Sequence, residues 1–488
     1  MAISSAVRAL PLGEPVLRPL DPAGLARLHA ATLRILEETG VAVGSARIRA
    51  RLAAAGARVD GERVRLPAPL VEAALAAAPR TYTLAARDTA WDLPLDGAHG
   101  YLSVDGSAAE IVDLETGARR PSTEADLAAV TRLADALPEI AFLWQGVEAG
   151  DRPVPVRPLH ELRTQLANSG KHVQLMTATT PLAARGAVEL ARAVAGGADA
   201  LRARPVLSSF QVSLSPLSFD GEALEAALVY ADAGVPAGFV VMAIGCATAP
   251  ATPAGVLAQS NAEVLAGITI VETLAPGAPT FYGACSTTMD LRSGLTTCGG
   301  PEDLLYQAAF AQLARHYRLP SSVGTFAPGA KAPDWQAGLE NGLSGLVSLL
   351  AGADLLSGAG LLYAARVFAL EEMVLDAEIF GLLRHLAGGI AIDDEALAVD
   401  VIGAVGPGGN FLAEDHTVGH MRGLWLPRLF DRGTWEEWEA AGRPAPRERA
   451  RERARSLLTT HVPAPLEAGL AAELDRIVGA FSREAGIG

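Results

Sequence analysis

From about residue 100 to residue 390 the chain repeats one pattern. A short β-rich apolar run is followed by a turn of small residues and then by a stretch with apolar positions three and four apart. The runs are "YLSVDG" from Tyr101, "FLWQG" from Phe142, "HVQLM" from His172, "LSSFQVS" from Leu207, "FVVMA" from Phe239, "TFYGAC" from Thr280, "SSVGTF" from Ser321 and "LLSGAG" from Leu355. Helical stretches separate them. One opens at Thr123 with Asp126 three positions on, the spacing of a capping box. Another has Pro181 at its entry and Gly196 at its exit, a third stops at Gly234, and further ones run from Pro301 and from Leu370. Strands that alternate with helices pair in parallel through crossovers. Eight such units most naturally close into a (β/α)8 TIM barrel. An open doubly wound sheet is the alternative, but it usually carries a Gly-rich phosphate turn, and neither GxGxxG nor GxxxxGK[ST] occurs here.

The ends differ from this core. Residues 1–98 read as an α+β extension: a helix from about Asp21 to Glu38, a hairpin in "RVDGERVRLP" turning at Asp60-Gly61, and the helix "APLVEAALAAAP". Residues 99–392 form the barrel, and residues 393–488 a helical extension whose charge run, "TWEEWEAAGRPAPRERARERARSLL", reads as a solvated helix face. The tract after Asp232, residues 233–262, is uncharged, but Pro236, Pro250 and Pro253 interrupt it. It reads as a buried strand and a turn rather than a membrane span.

Composition narrows the function. Net charge is −15, which argues against a nucleic-acid groove or an anionic membrane surface. Three cysteines, Cys246, Cys285 and Cys298, without a CxxC pair make neither a disulfide framework nor a zinc-thiolate site. The N-terminal stretch lacks the unbroken apolar core of a signal peptide, and a cytoplasmic setting with no metal of its own is expected.

Barrel function gathers at the C-terminal ends of the strands. These ends include Asp105, the neighbourhood of Trp144, "FYGACSTT" and Phe326. The loop after the seventh strand, "TFAPGAKAPDWQAGLENG", places Lys331, Asp334 and Glu340 near the mouth. Asp334 reads as a helix cap and Lys331 as a loop lysine, whereas Glu340 sits in an apolar helix. Trp144, Tyr282 and Phe326 are either core or the walls of a pocket for a cation without donor hydrogens. His172 starts its strand and is a weaker substrate-binding candidate. Ser286 and Thr287 are either hydrogen-bond donors to a ligand or part of a turn.

The stretches "NAEVLAGITIVETLAPGAPTFYGACSTTMDLRSG", "GGPEDLLYQAAFAQLARHYRLPSSVGTFAPGAKAPDWQAGLE", "LAGADLLSGAGLL", "EEMVLDAEIF" and "GPGGNFL" resemble the trimethylamine methyltransferase family, from about residue 20 to residue 480. The resemblance implies a (β/α)8 barrel that moves a methyl group from a methylamine to the Co(I) corrinoid of a separate carrier protein. It also implies a homo-oligomer. Archaeal members carry pyrrolysine in the loop described above. That position falls on Ala327 here, and Gly329 replaces an acidic residue common in the family. The resemblance is therefore to the branch without pyrrolysine, such as glycine betaine methyltransferases. It implies a quaternary amine as methyl donor, with trimethylamine disfavoured. Tyr282, Phe326 and Trp144 would cage the cation, with His172 a further candidate. Glu263 or Glu340 would supply negative charge, and Ser286, Thr287 and Lys331 would meet a substrate carboxylate or the corrin. A binding protein without turnover and a methyltransferase with another acceptor are the alternatives.

Overall fold

The computed structural model describes residues 9–487. The first eight residues, part of the N-terminal stretch judged above not to be a signal peptide, lie outside it. Eight parallel strands close into a barrel: β1 (His99–Val104), β2 (Ile140–Leu143), β3 (His172–Leu175), β4 (Leu207–Val212), β5 (Ala237–Val241), β6 (Tyr282–Ala284), β7 (Ser321–Gly324) and β8 (Leu355–Ala359). Each pairs with its successor, and β8 pairs with β1 through Leu355↔Tyr101 and Ala359↔Val104. All eight strands are those expected from the apolar runs.

A helix follows every strand: α1 (Glu124–Ala136), α2 (Arg157–Asn168), α3 (Pro181–Ala195), α4 (Gly221–Ala233), α5 (Pro253–Leu274), α6 (Pro301–Tyr317), α7 (Trp335–Ala351) and α8 (Leu370–Ala387). The Thr123–Asp126 capping box opens α1 as its spacing predicts. The α5 helix corrects the sequence reading: the neutral tract continues beyond its strand and turn into a 22-residue helix. This is also the one helix among the described residues long and apolar enough to cross a membrane, and most of it is buried in the protein.

Alternation along the strands sorts the core into two layers. Tyr101, Phe142, Trp144, Phe210, Val240, Phe281 and Leu355 fill the barrel interior. Leu102, Leu143, Val173, Phe239, Val241, Tyr282 and Leu356 face the helices. Residues before the barrel cover its lower end. The hairpin Arg58–Asp60/Arg63–Arg65 turns at Gly61, as expected. Below β3, the buried Lys171 ammonium donates to the carbonyls of Ala134, Leu137 and Ile140 at 2.6–2.8 Å.

After α8 come short helices and then α9 (Pro446–Thr460) and α10 (Ala468–Glu484). The charge run on α9 is not simply a solvated face. Arg447 and Arg451 both reach the buried Glu371 carboxylate of α8, at 2.8 and 3.1 Å, and Arg455 pairs with Glu115. These pairs dock the C-terminal extension on the barrel.

Candidate active site

The upper opening of the barrel is lined by the last inward-facing residue of each strand. Val212 and Met242 are exposed there, and Asp105, Met176, Cys285 and Gly324 are partly buried. Beneath them lies an aromatic floor. Trp144 packs on Phe210 at 4.5 Å between ring centroids, and Phe210 meets Phe281 edge-on at 6.5 Å. The Trp144 indole donates to Gln174 Oε1 at 2.5 Å, which locks the ring. Gly324 keeps the opening clear: a Cβ there would lie 2.8 Å from that of Cys285.

Asp105 is the one carboxylate among these inward-facing strand positions. Withdrawal from solvent pushes its pKa up to about 7, and the Ser357 hydroxyl and Gly106 amide offset this only in part. The Asp105 charge in turn helps raise the Cys285 thiol, after burial. The cup therefore combines thioether, thiol and aliphatic side chains, an aromatic floor and a single acid. Sequence reasoning noted Asp105 as a strand end but gave it no role.

The expected aromatic cage forms only in part. Trp144 lies in the floor. Tyr282 points the other way: its hydroxyl donates to Asn261 of α5 at 2.9 Å, and its ring lies 6.2 Å from that of Tyr317 on α6. Phe326 is buried beneath α7, where a Cβ on Gly345 would lie 3.0 Å from its ring. In both cases the side chain falls on the helix-facing side of its strand. Phe210 and Phe281, which the sequence reading passed over, take the interior positions. His172 is corrected as well. It is fully buried at the lower end of β3, with Nδ1 2.6 Å from Ala85 O and Nε2 2.7 Å from Ser208 Oγ. Burial pulls its pKa down to about 4, so it is a neutral structural imidazole.

Glu263, on α5, is buried and its carboxylate is fully used. Oε2 accepts from Ser213 Oγ at 2.5 Å and Ser215 Oγ at 2.7 Å, and Oε1 from Leu217 N and Gln259 Nε2 at 3.0 Å. It shapes the loop after β4 instead of facing the cup. Ser286 turns outward to Ser260 of α5 at 2.9 Å. Thr287 braces the loop after β6 through Thr297 Oγ1 at 3.3 Å and the Cys298 amide at 3.4 Å.

Of the charges in and after the loop that follows β7, Asp334 caps α7 by accepting from the Gln336 and Ala337 amides. Lys331 is exposed, with Nζ 2.6 Å from Gly329 O and 5.1 Å from the Tyr363 ring centre. Glu340 is half-buried at the rim. It accepts from Ala330 N at 3.3 Å and Gln336 Nε2 at 2.8 Å, and its stem packs on Gly299, whose φ of 86° and missing Cβ allow the approach. Glu340 thus ties the loop after β6 to the loop after β7. Between those loops a recess of about 50 Å³ is lined by Ala327 with Cys285, Thr287, Cys298, Asp303 and Gly324. Its volume suits a water or two rather than a ligand.

Comparison with known proteins now gives the cup a context. Residues 2–486 match the family model described as trimethylamine methyltransferase (MTTB). The chain is 37% identical over 463 residues to a trimethylamine methyltransferase MttB of Desulfitobacterium hafniense, covering 94% of this chain and 93% of that protein. It is 34% identical to a glycine betaine methyltransferase of the same species, covering 94% and 96%. It is also 32% identical to a trimethylamine methyltransferase MttB of Methanosarcina barkeri, covering 93% of each chain. Among solved structures, the hydroxylamine complex of MtmB shares the fold at a TM-score of 0.50 and 12% identity, over 92% of this chain and 89% of that one.

Proposed function

The chain is a methyltransferase that belongs to the trimethylamine methyltransferase family, and on that premise we propose that it takes its methyl group from a small quaternary amine of the glycine betaine type and delivers it to the Co(I) corrinoid of a carrier protein. The observation that carries the donor class is the cup. A tetraalkylammonium has an apolar shell, no N–H to donate and one positive charge. Asp105 offers one negative charge, and Trp144, Phe210, Met176 and Met242 offer polarizable surface around it. Ala327 adds only a methyl group where the family's pyrrolysine branch has a long reactive side chain. A quaternary nitrogen needs no such help, because its leaving group is already a neutral amine.

The chain's part in the reaction is positional and electrostatic. The cup orients one N–CH3 bond outward along the barrel axis, Asp105 holds the cation, and the apolar walls keep water from the reacting carbon. As the C–N bond breaks, its electron pair stays with the departing tertiary amine. The positive charge beside Asp105 is lost in the same step, which favours product release. The acceptor supplies the electron pair for the new bond to carbon. Exposed Val212, Leu214, Met242, Leu291 and Leu295 give the rim apolar surface, which fits the flat face of a corrin carried by another protein. We place the protein in the cytoplasm, where a reduced corrinoid and free thiols coexist.

The test is a methyl-transfer assay. Purified protein is mixed with cob(I)alamin, or with a corrinoid carrier, and a panel of betaines with trimethylamine included. Growth of the methylcobalamin spectrum with a quaternary amine and none with trimethylamine is expected. Turnover of trimethylamine alone overturns the donor class, and no methylation of either acceptor overturns the corrinoid reading.

A further inference from the structure

Outside the barrel, a cleft of about 810 Å³ opens between α7, α8 and the C-terminal extension. Small-molecule sites span about 300–1,000 Å³. The walls of the cleft are mainly apolar, with Leu375 and Ile379 from α8 and Phe430 and Pro446 from the extension. Trp335, the first residue of α7, stands in its lining with 79% of its surface exposed. Two acids, Asp334 and Glu372, and one base, Arg447, complete the polar part of the wall.

Charge on this wall does not balance. Arg447 is spent on Glu371, which it shares with Arg451. Glu372 is buried and has no ion-pair partner among the described residues. Its Oε1 accepts from Asn341 Nδ2 at 3.1 Å, and its Oε2 makes no hydrogen bond. Asn341 Nδ2 also donates to Asp376 Oδ1 at 2.8 Å, and the Gly360 amide to Asp376 Oδ2 at 2.9 Å. Both N–H bonds of the Asn341 side chain are therefore used, and Glu372 Oε2 has no donor to turn to. A buried polar atom left in this state costs the desolvation of its group. Burial and the charges of Asp376, Asp334 and Glu371 all raise the Glu372 pKa, and only the Asn341 hydrogen bond offsets them.

We propose that this cleft binds a protonated alkylamine, its N–H donating to Glu372 Oε2 and its hydrocarbon body lying against Trp335, Leu375, Ile379 and Phe430. The class of ligand follows from what the wall lacks. A cation supplies the missing charge, an N–H supplies the missing donor, and an apolar body covers the apolar walls. Where Glu372 is protonated, a neutral amine takes its proton, so the bound pair is carboxylate and ammonium in either case. A quaternary ammonium has the charge and the body but no N–H. The cleft and the barrel cup therefore select different cations, and the cleft does not depend on which methyl donor the cup takes.

Calorimetric titration with hexylamine tests this, on the native protein and on Asp105→Asn, in which the cup has lost its charge. Hexylammonium is expected to bind at one site per chain in Asp105→Asn. Hexyltrimethylammonium, with the same body and charge but no N–H, is expected to bind that site about 10- to 100-fold more weakly, the worth of one charge-assisted hydrogen bond. Trp335→Ala, at an exposed position, is expected to weaken hexylammonium about three- to tenfold, and Glu372→Gln about 10- to 100-fold. Melting of each variant is the folding control. Should Glu372→Gln not fold, Trp335→Ala and the comparison of the two ligands decide. No binding of hexylammonium, equal or tighter binding of the trimethyl analogue, or an affinity left unchanged by Trp335→Ala or by folded Glu372→Gln overturns the proposal.

Discussion

At the scale of single residues the site turns on Asp105. Its carboxyl titrates near pH 7 because the barrel wall takes it out of water. A cation in the cup favours the charged form, so below pH 7 binding must release a proton. KM for the quaternary donor is therefore expected to fall about tenfold from pH 6 to pH 8 while kcat changes little, since one pKa unit corresponds to a factor of ten in affinity. Asp105→Asn is expected to raise KM roughly 10- to 100-fold and to flatten this pH dependence. A KM profile in the variant that keeps the native slope would assign the titration to another group. Little of this was legible in the sequence. Asp105 stands before Gly106, where an acid reads equally well as a turn residue. The aromatic assignments failed for a related reason: the run "TFYGAC" located the strand, but a one-residue change of parity decides whether Phe281 or Tyr282 faces the interior. That parity is set by pairing with β5 and β7, which no local pattern records.

At the scale of elements, strands were easier to read than the helices that cover them. All eight apolar runs became barrel strands because a strand buried on both faces is a short continuous apolar segment. Five helices announced themselves by caps and amphipathic spacing. The α5 helix did not, because it is buried on nearly all sides between the barrel, the N-terminal helices and α6, so its polar and apolar positions show no preferred face. Its polar residues, Asn261 and Glu263 among them, are spent on internal hydrogen bonds. Lys171 is a similar case. Its ammonium ends the α1 helix by binding carbonyls of its last turn and lies 4.1 Å from the Trp91 ring centre. Lys171→Met keeps the stem's packing and removes the donors, leaving three carbonyls at the foot of the barrel without it. A loss of about 2–4 kcal/mol in unfolding free energy is expected by denaturant titration, with KM for the donor unchanged, because the residue is at the end opposite the cup. An unchanged midpoint would mean that water replaces the ammonium at no cost.

At the scale of the whole molecule, buried acids set how stability depends on pH. Besides Asp105, burial pushes Glu161 of α2 and Glu272 of α5 up to about 7, and Glu372 and Asp376 of α8 are raised as well by burial and, for Glu372, by the neighbouring Asp376. In the unfolded chain such groups ionise near 4. Between about pH 4 and pH 7 the folded state therefore binds more protons than the unfolded one, and stability must fall as pH rises through that window. Histidines work in the opposite direction. Burial lowers His172 to about 4 and also lowers His29, His160 and His316, so their contribution rises with pH, but only up to the ordinary histidine value of 6.5. Above that value the acids act unopposed. Groups whose pKa is depressed by hydrogen bonds, Asp113 by the Thr116 amide and hydroxyl and Asp290 by the Arg292 guanidinium, both to about 2, titrate far below this range. The apparent melting temperature is thus expected to drop by a few degrees between pH 6.5 and pH 8 in the substrate-free protein. Because a bound cation favours ionised Asp105, a saturating quaternary amine should make the drop smaller, and Asp105→Asn should reduce it without ligand. A melting temperature that climbs over this interval would show that these carboxyls are already ionised in the folded state, and that the cup presents a standing negative charge to its substrate.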